Sequence, residues 1–112
     1  MIHKMKLNEN PFDRIKNGTK TVEFRLYDDK RKQIKVGDKI EFSKLPDLQE
    51  KLIVEVLELY HDKTFENLFK QLYKEDEEEI KRKIQSMYEI YSPEKEKQYG
   101  VLGIRIKIWI ID

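Results

Sequence analysis

Near its end the chain reads Gly103-Ile-Arg-Ile-Lys-Ile-Trp-Ile, with an isoleucine at every second position from Ile104 to Ile110. On a helix those four side chains would scatter around the axis. On a strand they share one face, and four β-branched residues on one face demand a core to cover them. The chain must therefore build a sheet. Leu52 to Tyr60, LIVEVLELY, is dense enough in aliphatics to predict a central strand. Val22, Phe24 and Leu26 alternate with Thr21, Glu23 and Arg25, and Ile40 and Phe42 alternate with Lys39, Glu41 and Ser43. Each pattern predicts a half-buried strand, and residues 2–7 supply a weaker first one.

Helical signals fill the gaps. Asn10-Pro11 reads as an N-cap followed by proline at the first helical position, opening a short helix to Lys16 or Asn17 that buries Phe12 and Ile15. Gly18 stops it. Thr64 is expected to cap a helix to about Tyr73, with Phe65, Leu68, Phe69 and Leu72 as its apolar stripe. Asp76 with Glu79 resembles a capping box. The helix it opens carries Ile80, Ile84, Met87 and Tyr91 on one face and ends at Pro93. Gly100 and Gly103 predict a bulge or a close backbone approach before the last strand. Strands on short connections with the helices gathered in one insertion give an α+β fold: a mixed, barrel-like sheet of about five to six strands with helices at one end.

The 112 residues suit one domain, 1–112, with a core large enough to need neither disulfide nor structural metal. There is no cysteine, and nothing in the chain has the apolar length of a signal peptide or a membrane span, so a soluble cytoplasmic protein is expected. Charge is nearly balanced overall but not locally. Nine basic residues face five acidic ones between Asp13 and Lys39, whereas eight acidic face five basic between Glu75 and Gln98. A basic front half is one form of polyanion footprint, and a well-solvated surface is the other reading.

The segment NGTKTVEFR, Asn17 to Arg25, places Lys20, Glu23 and Arg25 directly after a turn. Strand parity puts Thr21, Glu23 and Arg25 opposite the apolar trio. They form either an exposed ion pair contributing under ~1 kcal/mol or one wall of a polar cleft. Lys20 has the wrong parity to share a face with Glu23 unless the turn after Gly18 re-aims it. Lys30, Arg31, Lys32 and Lys35 follow closely and suit phosphate contacts. Tyr27, Tyr60 and Tyr99 are candidates to stack a base, and ordinary packing is the competing role.

Gly18-x-Lys20-x-x-Glu23-x-Arg25 is similar to the signature of the ASCH domain, a PUA-like β-barrel. Phe12, Ile15, Asp29-x-Arg31, Ile34-x-x-Gly37-Asp38-x-Ile40-x-Phe42 and Tyr99-Gly100-Val101-Leu102-Gly103-Ile104 resemble its small single-domain members. The helical stretch from about Thr64 to Lys97 is the part least constrained by the resemblance. It implies a cleft beside the motif strand that binds RNA or a modified nucleotide, lined by Lys20, Glu23 and Arg25 and flanked by Lys30, Arg31 and Lys32. It also implies an enzyme alternative, since some small bacterial members hydrolyse N4-acylated cytidine with a lysine, a threonine and a glutamate. Lys20 falls at that lysine, but Glu23 stands where the threonine belongs, and Glu75 is the candidate for the glutamate. Thr21 is adjacent but of unsuitable parity. If the chain is an enzyme, Lys20 and Glu23 are the expected catalytic pair. A non-catalytic protein-interaction module is the third possibility.

No cofactor is expected. His3 and His61 have no metal-ligand spacing and read as surface or packing residues. No G-x-S-x-G, P-loop or dinucleotide fingerprint is present. The run from Glu75 to Glu79 is what a helix dipole favours in a first turn.

Overall fold

The computed structural model describes residues 1–74 and 76–111. Strand β1 is Ile2–Leu7, followed by helix α1 (Glu9–Lys16), β2 (Val22–Leu26), a 3-10 turn (Arg31–Gln33), β3 (Lys39–Lys44) and β4 (Lys51–Asp62). Helices α2 (Phe65–Leu72), α3 (Glu77–Tyr88) and α4 (Pro93–Tyr99) precede β5 (Val101–Ile111). The five strands form one sheet in the order β1-β3-β4-β5-β2, so the aliphatic-rich β4 is central as expected. The sheet is mixed, because β1 runs parallel to β3 while β3 and β4 are antiparallel. This is an α+β fold.

The chain forms two compact units, each discontinuous in sequence. The first comprises residues 1–23, 34–59 and 104–112, and the second residues 24–33 and 60–103. In the first, Phe12, Ile40, Phe42, Leu52, Val54, Val56 and Ile104 are almost completely buried. Each such side chain contributes roughly 1.5–3 kcal/mol relative to exposure. Ile40 and Phe42 bury the predicted face of β3, and Phe12 and Ile15 the predicted face of α1. On β5 the alternation holds only in part: Ile104 and Ile106 are buried, whereas Ile110 is exposed.

In the second unit Phe65, Leu68 and Phe69 of α2 are buried. Phe24 meets Phe69 edge-on with ring centroids 4.8 Å apart, and Phe65 stacks on Tyr91 at 5.8 Å. Thr64 caps α2 by accepting from Asn67 N–H, and Asp76 caps α3 by accepting from Glu79 N–H, both as predicted.

Three local expectations are corrected. Helix α1 begins at Glu9 after Asn8, two residues before the expected cap, and Asn8 makes no side-chain cap bond. Tyr91 lies beyond the end of α3, yet it still packs on Phe65. Pro93 does not merely end a helix; it opens α4. Ser92 caps that helix by accepting from Lys95 N–H, and proline sits where its missing N–H costs nothing.

Candidate functional site

The motif strand departs from the half-buried pattern. Val22, Glu23, Phe24 and Leu26 are all buried, and Arg25 is half-buried. Glu23 is therefore not a solvent-facing partner of an exposed ion pair. Its burial is explained by the segment that enters the strand. Helix α1 closes with Asn17 N–H on Asp13 O and Gly18 N–H on Ile15 O, and Gly18 takes φ of +85°. That left-handed turn suits glycine and reverses the chain. Thr19 and Lys20 N–H then both bond Arg14 O, at 2.9 and 3.0 Å.

Lys20 thus belongs to the helix exit rather than to the strand, and strand parity does not apply to it. Its Nζ lies 3.4 Å from Glu23 Oε1, with the side chains 15% and 7% exposed. Lys20, but not Glu23, lines a hollow of about 210 Å³ together with Ile15, Gly18, Thr21, Ile106, Lys107 and Ile108. Thr21, set aside on parity, therefore shares a wall with Lys20. Thr21 O accepts from Ile106 N–H at 2.9 Å, which anchors this edge to β5.

The remaining candidates belong to the second unit. Arg31 is half-buried in the 3-10 turn. Its Nη1 lies 3.3 Å from Asp28 Oδ2, and its backbone N–H donates to Asp28 Oδ1. Its Nε is buried without a hydrogen-bond partner among the described residues. Lys32 is exposed, 4.0 Å from Asp29 Oδ1 and 5.6 Å from the Tyr27 ring centroid. Lys30 is exposed. Arg31 and Lys32 thus each face a carboxylate from the preceding turn, which tempers their charge. Glu75 lies outside the described residues.

The second unit also holds a larger hollow, about 580 Å³, lined by His61, Lys63, Thr64, Glu96, Lys97, Gln98, Tyr99 and Gly100. His61, read from sequence as a surface or packing residue, is exposed and packs its ring on Tyr27 with centroids 4.1 Å apart at 33°. Gly100 has φ of +74°, and a Cβ there would stand 3.0 Å from Asp62 O and 3.2 Å from His61 Nε2. The predicted close approach is real, and it is made to the Asp62 carbonyl and this histidine. The sequence signal that pointed here was the Tyr99-Gly100 pair; nothing marked Lys63 or Lys97.

Glu96 is buried beneath this hollow. Its Oε2 accepts from Phe65 N–H at 2.9 Å and its Oε1 from the Tyr88 hydroxyl at 2.8 Å. The hydrogen bond to Glu96, then burial and the repulsion a phenolate would meet from that carboxylate, push Tyr88 up to about 12. In the first unit, His3 Nε2 sits 2.8 Å from Asp38 Oδ2, which holds Asp38 below the ordinary carboxylate range.

The ASCH domain pattern matches residues 5–109. The chain belongs to the ASCH domain family. Solved relatives agree in fold. Hypothetical protein PH0355, known from a crystal structure, is 31% identical over 97% of this chain and 100% of that one, with a TM-score of 0.83. Protein PF0455 from Pyrococcus furiosus, solved by NMR in solution, is 35% identical over 96% of this chain and 97% of that one, with a TM-score of 0.70. A ZmASCH mutant protein from Zymomonas mobilis shares the fold at 13% identity, covering 99% of this chain and 72% of its own, with a TM-score of 0.62. No curated protein matches the chain. Membership brings the PUA-like fold generally associated with RNA binding. No helix among the described residues is long and apolar enough to cross a membrane.

Proposed function

We propose that this ASCH domain binds RNA or a modified nucleotide through Lys20 and Glu23, with Arg25, Lys30, Arg31 and Lys32 as further contacts. The observation that carries the reading is the Lys20–Glu23 pair, nearly buried beside a hollow. Removing two charges from water costs several kcal/mol, and an apolar pair of similar volume is often as stable. A charged pair at a concavity is better explained by a ligand than by the stability of the fold. The Lys20 ammonium lines the hollow as a donor suited to a base carbonyl, and Glu23 behind it holds that ammonium in place. At about 210 Å³ the hollow is smaller than the ~300–1,000 Å³ of common small-molecule pockets, which favours one base over a whole nucleotide.

The test is titration of a fluorescent single-stranded RNA at several salt concentrations. Three or four phosphate contacts give a log–log salt slope of roughly −2 to −3. Lys20→Ala is expected to abolish saturable binding while circular dichroism stays native. Equal binding by wild type and Lys20→Ala overturns the reading, as does no binding by either.

One observation favours the enzymatic alternative: Thr21 lines the same hollow as Lys20. A hydroxyl beside a lysine is the minimum for attack on the amide of an N4-acylated cytidine. Against it, Lys20 is engaged by Glu23, and a lysine serving as the base must first give up its proton. Incubation with N4-acetylcytidine decides. Acetate release lost in Thr21→Val establishes turnover; none at micromolar protein leaves binding as the function.

A further inference from the structure

We propose that the hollow between the end of β4 and the last turn of α4 is a second nucleotide subsite, in which His61 stacks a base while Lys63 and Lys97 meet its phosphate. The proposal rests on the reading that the ligand is a nucleotide or a nucleic-acid strand, but on different residues.

Three observations converge. The first is the ring. His61 is exposed, and Tyr27 covers one side of it at 4.1 Å, so a two-ring platform is already assembled. A fixed aromatic pair of this kind is a place to continue a stack, since every base has a π-face. Lys32 lies 5.6 Å from the Tyr27 centroid, adding positive charge beside the platform.

The second is the backbone that clears the site. Gly100 lies so near His61 Nε2 and Asp62 O that a Cβ would stand only 3.2 and 3.0 Å from them, and its φ of +74° suits no other residue well. The chain thus holds a bare backbone against the imidazole, and Gly100 itself forms part of the wall of the hollow.

The third is uncompensated charge. Elsewhere on this chain lysines commonly face carboxylates: Lys39 faces Glu55, Lys44 faces Asp13, Lys51 faces Glu41 and Lys70 faces Glu66. Lys63 and Lys97 are exposed and form no ion pair among the described residues. The carboxylate that lines the hollow with them, Glu96, is buried and committed to Phe65 N–H and the Tyr88 hydroxyl. Glu96 also occupies the N-terminus of α2, so the anion site here is made by the two lysines and not by that helix. Two free cations beside an exposed ring fit a planar base carrying a phosphate better than either fits a neutral ligand. The volume of about 580 Å³ lies within the ~300–1,000 Å³ of ordinary ligand pockets.

The experiment is a titration of the isotopically labelled protein with adenosine 5′-monophosphate, followed by backbone amide shifts, with inorganic phosphate and hexaglutamate in parallel. Saturable shifts at His61, Lys97, Tyr99 and Gly100 are expected, stronger for the nucleotide than for phosphate. Loss of base stacking in His61→Ala is expected to weaken them about tenfold. The double variant Lys63→Glu/Lys97→Glu should weaken them at least as much and flatten their salt dependence. Shifts confined to the surroundings of Lys20 and Glu23 overturn the subsite and leave the reading of the motif standing. Shifts at the His61 group alone do the reverse. No shift anywhere, or equal shifts with hexaglutamate, overturns the subsite outright.

Discussion

Glu23 and Glu96 are equally withdrawn from water, each 5% exposed, and they serve opposite ends. Glu96 accepts from a backbone N–H at the start of α2 and from a tyrosine hydroxyl on α3, so it ties three helices together through neutral donors. Glu23 faces an ammonium that remains partly open to solvent beside a hollow. Burial of a carboxylate therefore says little by itself. On the proposed reading, neutral donors that the fold must satisfy anyway mark a fastening, and a cation with a way out marks a contact point.

The sharpest way to break this contrast is Glu96→Ala. It orphans the buried Phe65 N–H and strips the half-exposed Tyr88 hydroxyl of its acceptor, and charge-assisted hydrogen bonds are worth about 1.5–3 kcal/mol each. A loss of about 3 kcal/mol in urea unfolding is expected, with RNA binding at the Lys20 site retained by the folded fraction. Lys20→Met comes next, costing about 1–2 kcal/mol because one buried carboxylate loses a charged partner. Here the larger change should be in ligand affinity. Adding Glu23→Gln to Lys20→Met should recover stability without recovering binding, and a double-mutant cycle separates the two. If Lys20→Met proves as destabilising as Glu96→Ala, the two carboxylates do the same job and the distinction falls.

A third measurement sharpens the fastening. The hydrogen bond to Glu96, with burial, pushes Tyr88 up to about 12. Its folded value is raised, so the contribution to stability is complete below the ordinary tyrosine value of 10.0 and fades as pH rises through 12. Glu96→Gln should bring the Tyr88 midpoint back toward 10.0, read by residue-specific NMR. The smallest effect belongs to the exposed Arg82–Glu79 pair on α3. Its i,i+3 geometry is worth about 0.2–0.5 kcal/mol, so Glu79→Ala should change the unfolding midpoint barely.

Elements with local causes were legible in the sequence. Alternation found β2, β3 and the front of β5, and the Thr64 and Asp76 caps lie where their side chains predict. What escaped depended on competition between neighbours. Pro93 was read as a stop although the Ser92 hydroxyl beside it makes a start, and so α4 was missed. Asn8 rather than Asn10 precedes α1, where no side-chain cap bond announces the boundary.

At the motif, strand parity set Lys20 apart from Glu23 unless the turn after Gly18 re-aimed it, and since the strand begins only at Val22 that turn decides. Residue identity flagged Lys20 and Glu23 as candidates, and the glycine turn is what brings them within reach of each other. The hollow around His61 was less legible still. Its lysines are ordinary in sequence, and only the folded chain shows that no carboxylate among the described residues pairs with them.

Asp62 and Gly100 bring the two ends of the helical excursion within van der Waals contact. A detour that leaves and rejoins at one point needs a narrow seam there, and at this seam a residue without a side chain lets the two backbones meet.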